Sequence, residues 1–236
     1  MCMCNNVFMT KILFVWDFHG VLEKGNEYAV QELCNLVFKE FGYDRRLNIK
    51  ETRDWYGLSW FDYFKLSIPD ANEEVWNKMV DKVLSFQERG WGIVQKHLQP
   101  RDFAKEVLSE IQISGHENIL LSNTRPEHIR SFTDAIGITE YFEKIIGVDE
   151  NNNSQVEDGS VNVKSQALKN YLDGKNFRRI IVIGDRDIDI KAGQDNGAVT
   201  YLFQNPDFAV KQFNINPTSR ISDLREVLQE LVQEVG

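Results

Sequence analysis

Asp17, His19, Ser122, Lys164, Asp185 and Asp189 are the residues whose types and spacing in this chain could do chemistry. All but Lys164 sit just past a short apolar run, and Lys164 opens a helical segment shortly before the last of those runs. Several carboxylates gathered at one point repel one another unless a cation or protons compensate. A hard divalent ion such as Mg²⁺ takes oxygen ligands, usually one or two carboxylates completed by water and substrate phosphate. A carboxylate can also act as nucleophile in phosphoryl transfer and carry the group as an aspartyl-phosphate. A hydroxyl and an ammonium, here Ser122 and Lys164, would hold the non-bridging oxygens and offset developing charge. Backbone N–H groups after the first run, eased by Gly20, could complete an anion cradle.

The elements that must position these groups are legible as alternation. Ile12–Trp16, Ile119–Leu121, Ile145–Val148, Ile180–Ile183 and Val199–Phe203 are short apolar runs without a polar face. Such runs suit strands covered on both sides of a parallel sheet. Segments of helical period lie between and after them: Asp102–Ile113, Glu127–Ile136, Ser165–Leu172, Ile188–Asn196 and Asp223–Val235. Ser114-Gly115 and Gly137 stand where helices should stop. This alternation predicts an α/β protein with a doubly wound, Rossmann-like parallel sheet. Ligands of such sheets bind outside the carboxyl ends of the strands, where the candidate residues fall.

Between Glu23 and Gln99 the rhythm breaks. The periods there are helical, over Tyr28–Phe41, Thr52–Leu66 and Glu73–Arg89, with no convincing buried strand. An insertion of roughly 75 residues is too long for a loop and must pack as a helical subdomain. The expected division is a catalytic core of residues 1–22 and 100–236 and a helical cap of residues 23–99. The polar stretch Asn151–Gly159 reads as a surface loop.

Composition narrows the field. The 236 residues carry 27 Lys+Arg against 36 Asp+Glu, a net charge of −9, with 42% hydrophobic residues. The acid excess argues against a general nucleic-acid binder, which normally presents a basic face. No apolar stretch approaches the ~20 residues that span a bilayer. Cys2 and Cys4 form C-x-C without a second pair at zinc spacing, so an inert end is expected there. Three cysteines in all suit a reducing, cytoplasmic setting. Residues 1–9 read as a dispensable extension, with Met9 an alternative start and no signal-peptide pattern.

The same residues resemble a family. D-F-H-G-V from Asp17, L-L-S-N ending at Asn123, Lys164, and G-D-x-x-x-D from Gly184 followed by I-x-A-G-x-x-x-G-A from Ile190 to Ala198 are similar to the four motifs of the haloacid dehalogenase-like hydrolases. The resemblance runs in order from Lys11 to Ala198. The helical insertion has the position and size of the cap in the phosphoglycolate phosphatase-like branch. The resemblance implies Asp17 as nucleophile, and Ser122 with Asn123, Gly20, Lys164 and Arg125 around the phosphate. It further implies Mg²⁺ held by Asp17, the His19 backbone carbonyl, Asp185 and Asp189. The implied reaction is Mg²⁺-dependent hydrolysis of a small phosphorylated metabolite, with the cap choosing the substrate.

One position departs from the pattern. Phosphatases of this family usually carry Asp two residues after the nucleophile, as acid for the leaving group; this chain has His19. An imidazole, with an ordinary pKa of about 6.5, can donate a proton near neutral pH. The departure leaves two other readings open. One is altered chemistry, cleaving C–halogen or C–P bonds; the pair Asp185 and Asp189 argues against a metal-free dehalogenase. The other is a weakened phosphate- or partner-binding module.

Structural readings stand beside the chemical ones. His19 could be a bonded turn histidine, Lys164 a solvated helix lysine with Lys169 and Lys175 as rivals, and Asp185 and Asp189 helix-start acids. Asp187 is expected as an exposed helix-start acid rather than a ligand. Arg125 and Arg186 either meet a second anionic group or neutralise nearby acids. The aromatic stretch from Trp55 to Phe64 is expected to pack the insertion's own core rather than stack on a substrate.

Overall fold

The structure, a computed structural model, describes residues 11–89, 91–148, 163–208 and 215–232. The Cys2/Cys4 pair, the start at Met9 and the Asn151–Gly159 stretch lie outside them. The described chain divides into two units. One takes in residues 11–22, 102–148, 163–204 and 215–232; the other takes in 23–89, 91–101 and 205–208.

The first unit is built on a six-stranded sheet. Its strands are β1 (Ile12–Trp16), β4 (Glu117–Ser122), β5 (Lys144–Gly147), β6 (Arg179–Gly184), β7 (Val199–Phe203) and β8 (Ser219–Ile221). The spatial order is β5-β4-β1-β6-β7-β8, and every pairing is parallel. β1 lies at the centre, with Trp16 opposite Leu120 on one side and Ile183 on the other. All five of its residues are buried, which is why they read as an unbroken apolar run. Leu13 and Val15 pack with Ile119, Leu121, Val182 and Leu168, the last from helix α8 (Val163–Leu172). The Trp16 indole N–H donates to Asn118 Oδ1 at 2.9 Å, and the Asn118 amide donates to the Leu108 carbonyl at 3.0 Å. The buried polar atoms of this tryptophan and asparagine thereby find partners.

The crossovers are α6 (Ala104–Ile113), α7 (Pro126–Ile136), α8 and α9 (Asp187–Asp195). α6 stops before Gly115 and α7 at Gly137, both at positive φ, where glycine is free of the Cβ penalty. Two features differ from expectation. β8 is three residues long, too short to carry a period, and among the described residues it pairs only with β7. The terminal helix expected over Asp223–Val235 is instead a 3₁₀ segment, Leu224–Leu228, followed by α10 (Gln229–Val232), with the remainder outside the described residues.

The second unit is helical: α1 (Asn26–Glu40), α2 (Ile49–Asp54), α3 (Trp60–Ser67), α4 (Glu73–Arg89) and α5 (Trp91–His97). The single helical stretch expected over Thr52–Leu66 is two helices, separated by a turn in which Gly57 takes φ 83°. Capping explains the break: Asn48 caps α2 in a box with Glu51, and the Ser59 hydroxyl accepts from the Asp62 amide to restart the chain as α3. The unit opens and closes on a two-residue antiparallel pair, β2 (Glu23–Lys24) with β3 (Gln99–Pro100). The aromatic stretch packs against itself. Tyr63 and Phe64 are buried, Trp55 meets Tyr63 edge-on, and Trp60 stacks on Phe64. Among the described residues no helix is long and apolar enough to cross a membrane.

Candidate active site

Asp17 is the first residue past β1, and its amide donates to the Ile183 carbonyl at 2.9 Å, which ties the strand end to β6. The chain then turns: the Leu22 amide donates to the Phe18 carbonyl at 3.0 Å, with Gly20 at φ 79° inside the turn. Asp185 follows β6 directly, and Asp189 sits in the first turn of α9. Asp189 can fold back because residue 184 is glycine; a Cβ there would stand 2.1 Å from the Asp189 Cβ. Its Oδ2 accepts the Arg186 amide at 3.1 Å, closing the helix start.

Lys164, near the start of α8, completes this group from a third element. Its Nζ donates to Asp17 Oδ1 at 2.6 Å and to Asp189 Oδ1 at 2.5 Å. Lys164, Asp185 and Asp189 are 2–3% exposed and Asp17 9%. The rivals fall elsewhere: Lys169 is exposed, and the Lys175 ammonium lies 3.3 Å from the Tyr171 ring centroid.

Burial at this density shifts the titrations. Burial, reinforced by the negative charges of Asp17 and Asp189, raises the Asp185 carboxyl well above its ordinary range. Burial likewise lifts Asp189 to about 6, although Lys164 pulls it down. Burial opposes the charge on Lys164, but its two carboxylate partners outweigh that, so the ammonium is held more tightly than usual. The Lys164 ammonium lies among three carboxylates, one ligand oxygen of each lying within 4.8 Å of the others. Among the described residues, the buried Asp185 Oδ2 finds no hydrogen-bond partner. An orphaned carboxylate oxygen beside two other carboxylates is a donor set of the hard, all-oxygen kind that Mg²⁺ takes. The residues fit that ion.

A second group forms after β4. The Val148 amide donates to the Ser122 carbonyl at 2.8 Å. Gly147 lets the following loop approach closely: a Cβ there would stand 2.4 Å from the Thr124 carbonyl oxygen. The Thr124 amide donates to Ser122 Oγ, and Ser122 Oγ donates to Thr124 Oγ1, both at 3.2 Å. His19 Nε2 lies 3.1 Å from the same Thr124 Oγ1. The imidazole meets the Phe18 and Phe132 rings edge-on, at centroid distances of 5.0 and 5.4 Å.

Asp17, Lys164, Asp185 and Asp189 are thus brought into one buried cluster, while Ser122 and His19 are joined through Thr124. Asn123 lies half-buried in that loop, and Arg125 precedes Pro126 at the start of α7. Asp187 is exposed at the first position of α9. Thr124 was not among the residues singled out by sequence. The available signal was Ser122 and Thr124 two apart after a strand, the spacing of a hydroxyl-closed turn.

A doubly wound parallel sheet with a carboxylate–lysine centre at the carboxyl ends of β1 and β6 defines the class of fold. The sequence profile of the family described as haloacid dehalogenase-like hydrolase matches residues 14–203, and the chain belongs to that family; it is a hydrolase. A curated relative named "Putative pyrophosphatase PpaX", from Caldanaerobacter subterraneus subsp. tengcongensis, is 19% identical over 189 residues, spanning 80% of this chain and 79% of its own. Among solved structures, one called "Putative Phosphatase", from Clostridium difficile, superposes with a TM-score of 0.75 at 16% identity, over 94% of this chain and 99% of its own. Another, called a "predicted phosphoglycolate phosphatase", from Haemophilus somnus 129pt, gives 0.71 at 16% identity over 92% and 96%. At these identities the structural likeness bears on the fold.

Proposed function

We propose that the protein is a Mg²⁺-dependent phosphatase of small phosphorylated metabolites that works through an aspartyl-phosphate on Asp17. The observation that carries this reading is the buried cluster in which Lys164 bridges Asp17 and Asp189 while Asp185 keeps one oxygen without a partner. The names of the relatives, phosphatase and pyrophosphatase, point the same way.

Asp17 Oδ1 is occupied by Lys164, which orients the carboxylate and leaves its other oxygen to attack phosphorus. As the new P–O bond forms, the ester P–O bond breaks, and His19 gives the leaving alkoxide its proton. Water then cleaves the aspartyl-phosphate, releasing inorganic phosphate and regenerating Asp17. The Ser122 hydroxyl, the Asn123 loop, the backbone at Gly20, Lys164 and Arg125 hold the phosphate oxygens. Mg²⁺, held by Asp17, Asp185, Asp189 and the His19 carbonyl, would supply positive charge against the phosphate. Residues 1–22 and 100–236 form the catalytic core in this reading and residues 23–99 the cap that selects the substrate, with 100–101 and 205–208 grouping with the helical unit. A cytoplasmic setting, expected from the cysteine usage, belongs to the same reading.

The test is inorganic phosphate release from a panel of phosphate monoesters with and without Mg²⁺. The expected outcome is Mg²⁺-dependent release that Asp17→Asn abolishes. Full activity of Asp17→Asn, or undiminished turnover in EDTA, would overturn the mechanism. Cleavage of C–halogen bonds in EDTA would select the dehalogenase reading, which the gathering of three carboxylates disfavours.

A further inference from the structure

We infer that Thr124 is a positioning residue of the proposed reaction: its hydroxyl ties the His19 imidazole to Ser122 and so sets the leaving-group acid relative to the phosphate-binding hydroxyl. The inference rests on the phosphatase reading for its kinetic consequence, but not for the geometry. His19 comes from the turn after β1 and Ser122 from the end of β4. No hydrogen bond between these two side chains is needed to couple them, because both reach Thr124 Oγ1, at 3.1 and 3.2 Å.

The valences allow this. A threonine hydroxyl has one proton and two lone pairs. Ser122 Oγ donates to one lone pair, which leaves the threonine proton or the second lone pair for His19 Nε2. Ser122 Oγ in turn accepts the Thr124 amide, so the Ser–Thr turn is closed from both sides. Thr124 is itself held from behind, where Gly147 admits its carbonyl against the end of β5. The imidazole has little freedom to compensate: Phe18 and Phe132 meet it edge-on at 76° and 82°. Removing the hydroxyl therefore takes away a polar contact from a ring that Phe18 and Phe132 flank edge-on.

A merely structural threonine would close its turn and nothing more, so the experiment must separate the two roles. We compare wild type, Thr124→Val, Thr124→Ser, His19→Ala and the Val/Ala double variant, each checked for folding by circular dichroism. Two esters are used with Mg²⁺: glycerol phosphate, whose alkoxide leaves only when protonated, and p-nitrophenyl phosphate, whose phenolate leaves unaided. Thr124→Val should lower kcat on glycerol phosphate about tenfold, a fraction of the full effect of a general acid. On p-nitrophenyl phosphate it should do much less, with KM little changed on either ester. Thr124→Ser should restore most of the loss, and Thr124→Val should cost nothing further when His19 is already Ala. An equal loss on both esters, no rescue by Ser, or an undiminished loss in the His19→Ala background would overturn the inference.

A separate arm needs no turnover. The ring ¹⁵N resonances of His19 in the metal-free protein should move on Thr124→Val and return on Thr124→Ser; unmoved resonances would overturn the hydroxyl–imidazole link. Release from no member of the monoester panel by wild type would overturn the phosphatase reading, and the resonances would still decide the link.

Discussion

Replacing Lys164 by Met would strand Asp17 and Asp189 without the ammonium they share at 2.6 and 2.5 Å, in a site where all the charges are nearly buried. Breaking a buried ion pair by removing one partner typically costs about 3–5 kcal/mol. We expect Lys164→Met to lose stability of that order in urea denaturation at pH 8 without Mg²⁺. The loss should shrink at pH 5, where the stranded carboxylates can take up protons. An equal loss at both pH values would show that Lys164 stabilises by packing rather than by charge. Most of these residues were legible in the sequence because each follows an apolar run. Its place at the start of the helical segment already favours Lys164 over Lys169 and Lys175, but its burial to 2% exposure is written nowhere in the local sequence.

At the scale of elements, the site depends on backbones that come close where side chains are missing. Gly184 ends β6 against Asp189, and Gly147 ends β5 against the Thr124 carbonyl. Gly184→Ala would push a methyl into the Asp189 side chain, and overpacking of this kind costs about 1–3 kcal/mol. The expected result is a lower melting temperature together with a loss of Mg²⁺-supported turnover, since Asp189 must leave Lys164 to make room. Unchanged activity would mean that α9 moves as a body and that the Lys164–Asp189 contact is dispensable. The core strands were readable from their apolar runs because both faces are covered. The short β2, β3 and β8 were not, since a two- or three-residue strand has no period to detect. The split between α2 and α3 lay in the caps Asn48 and Ser59 rather than in the hydrophobic pattern.

At the scale of the molecule, the net charge of −9 and the electrostatics of the site are separate matters. Bulk charge governs solubility and nonspecific partners, whereas the three gathered carboxylates couple the stability of the fold to pH and, in the proposed reading, to Mg²⁺. Asp189 titrates at about 6 in the fold, against an ordinary 3.8. Near pH 3 and below both folded and unfolded chains are protonated there. As pH rises from about 4 to 6 the unfolded chain releases its proton first, so this contribution to stability falls across that window. The upward shift of Asp185 acts in the same direction. Mg²⁺ held there would offset the penalty, and protons would compete with it. Thermal melts should therefore show Mg²⁺ raising the melting temperature more at pH 8 than at pH 5. At a hundredfold excess over its Kd the stabilisation is about 2.7 kcal/mol. A gain as large at pH 5 as at pH 8 would mean that these carboxylates do not hold the ion.

The sequence by itself determined the alternation of strands and helices, the strand ends at which chemistry could sit, the helical character of the insertion and the family. Local pattern suffices for these, because burial on two faces and helical period are written in consecutive residues. Tertiary structure alone decided that Lys164 spans Asp17 and Asp189, residues 147 and 25 positions away along the chain. It also decided that Asp185 keeps an unpartnered oxygen, and that Thr124 joins His19 to Ser122. Each of these depends on side chains from different strand ends meeting within hydrogen-bond distance, which parallel pairing imposes and no local spacing encodes.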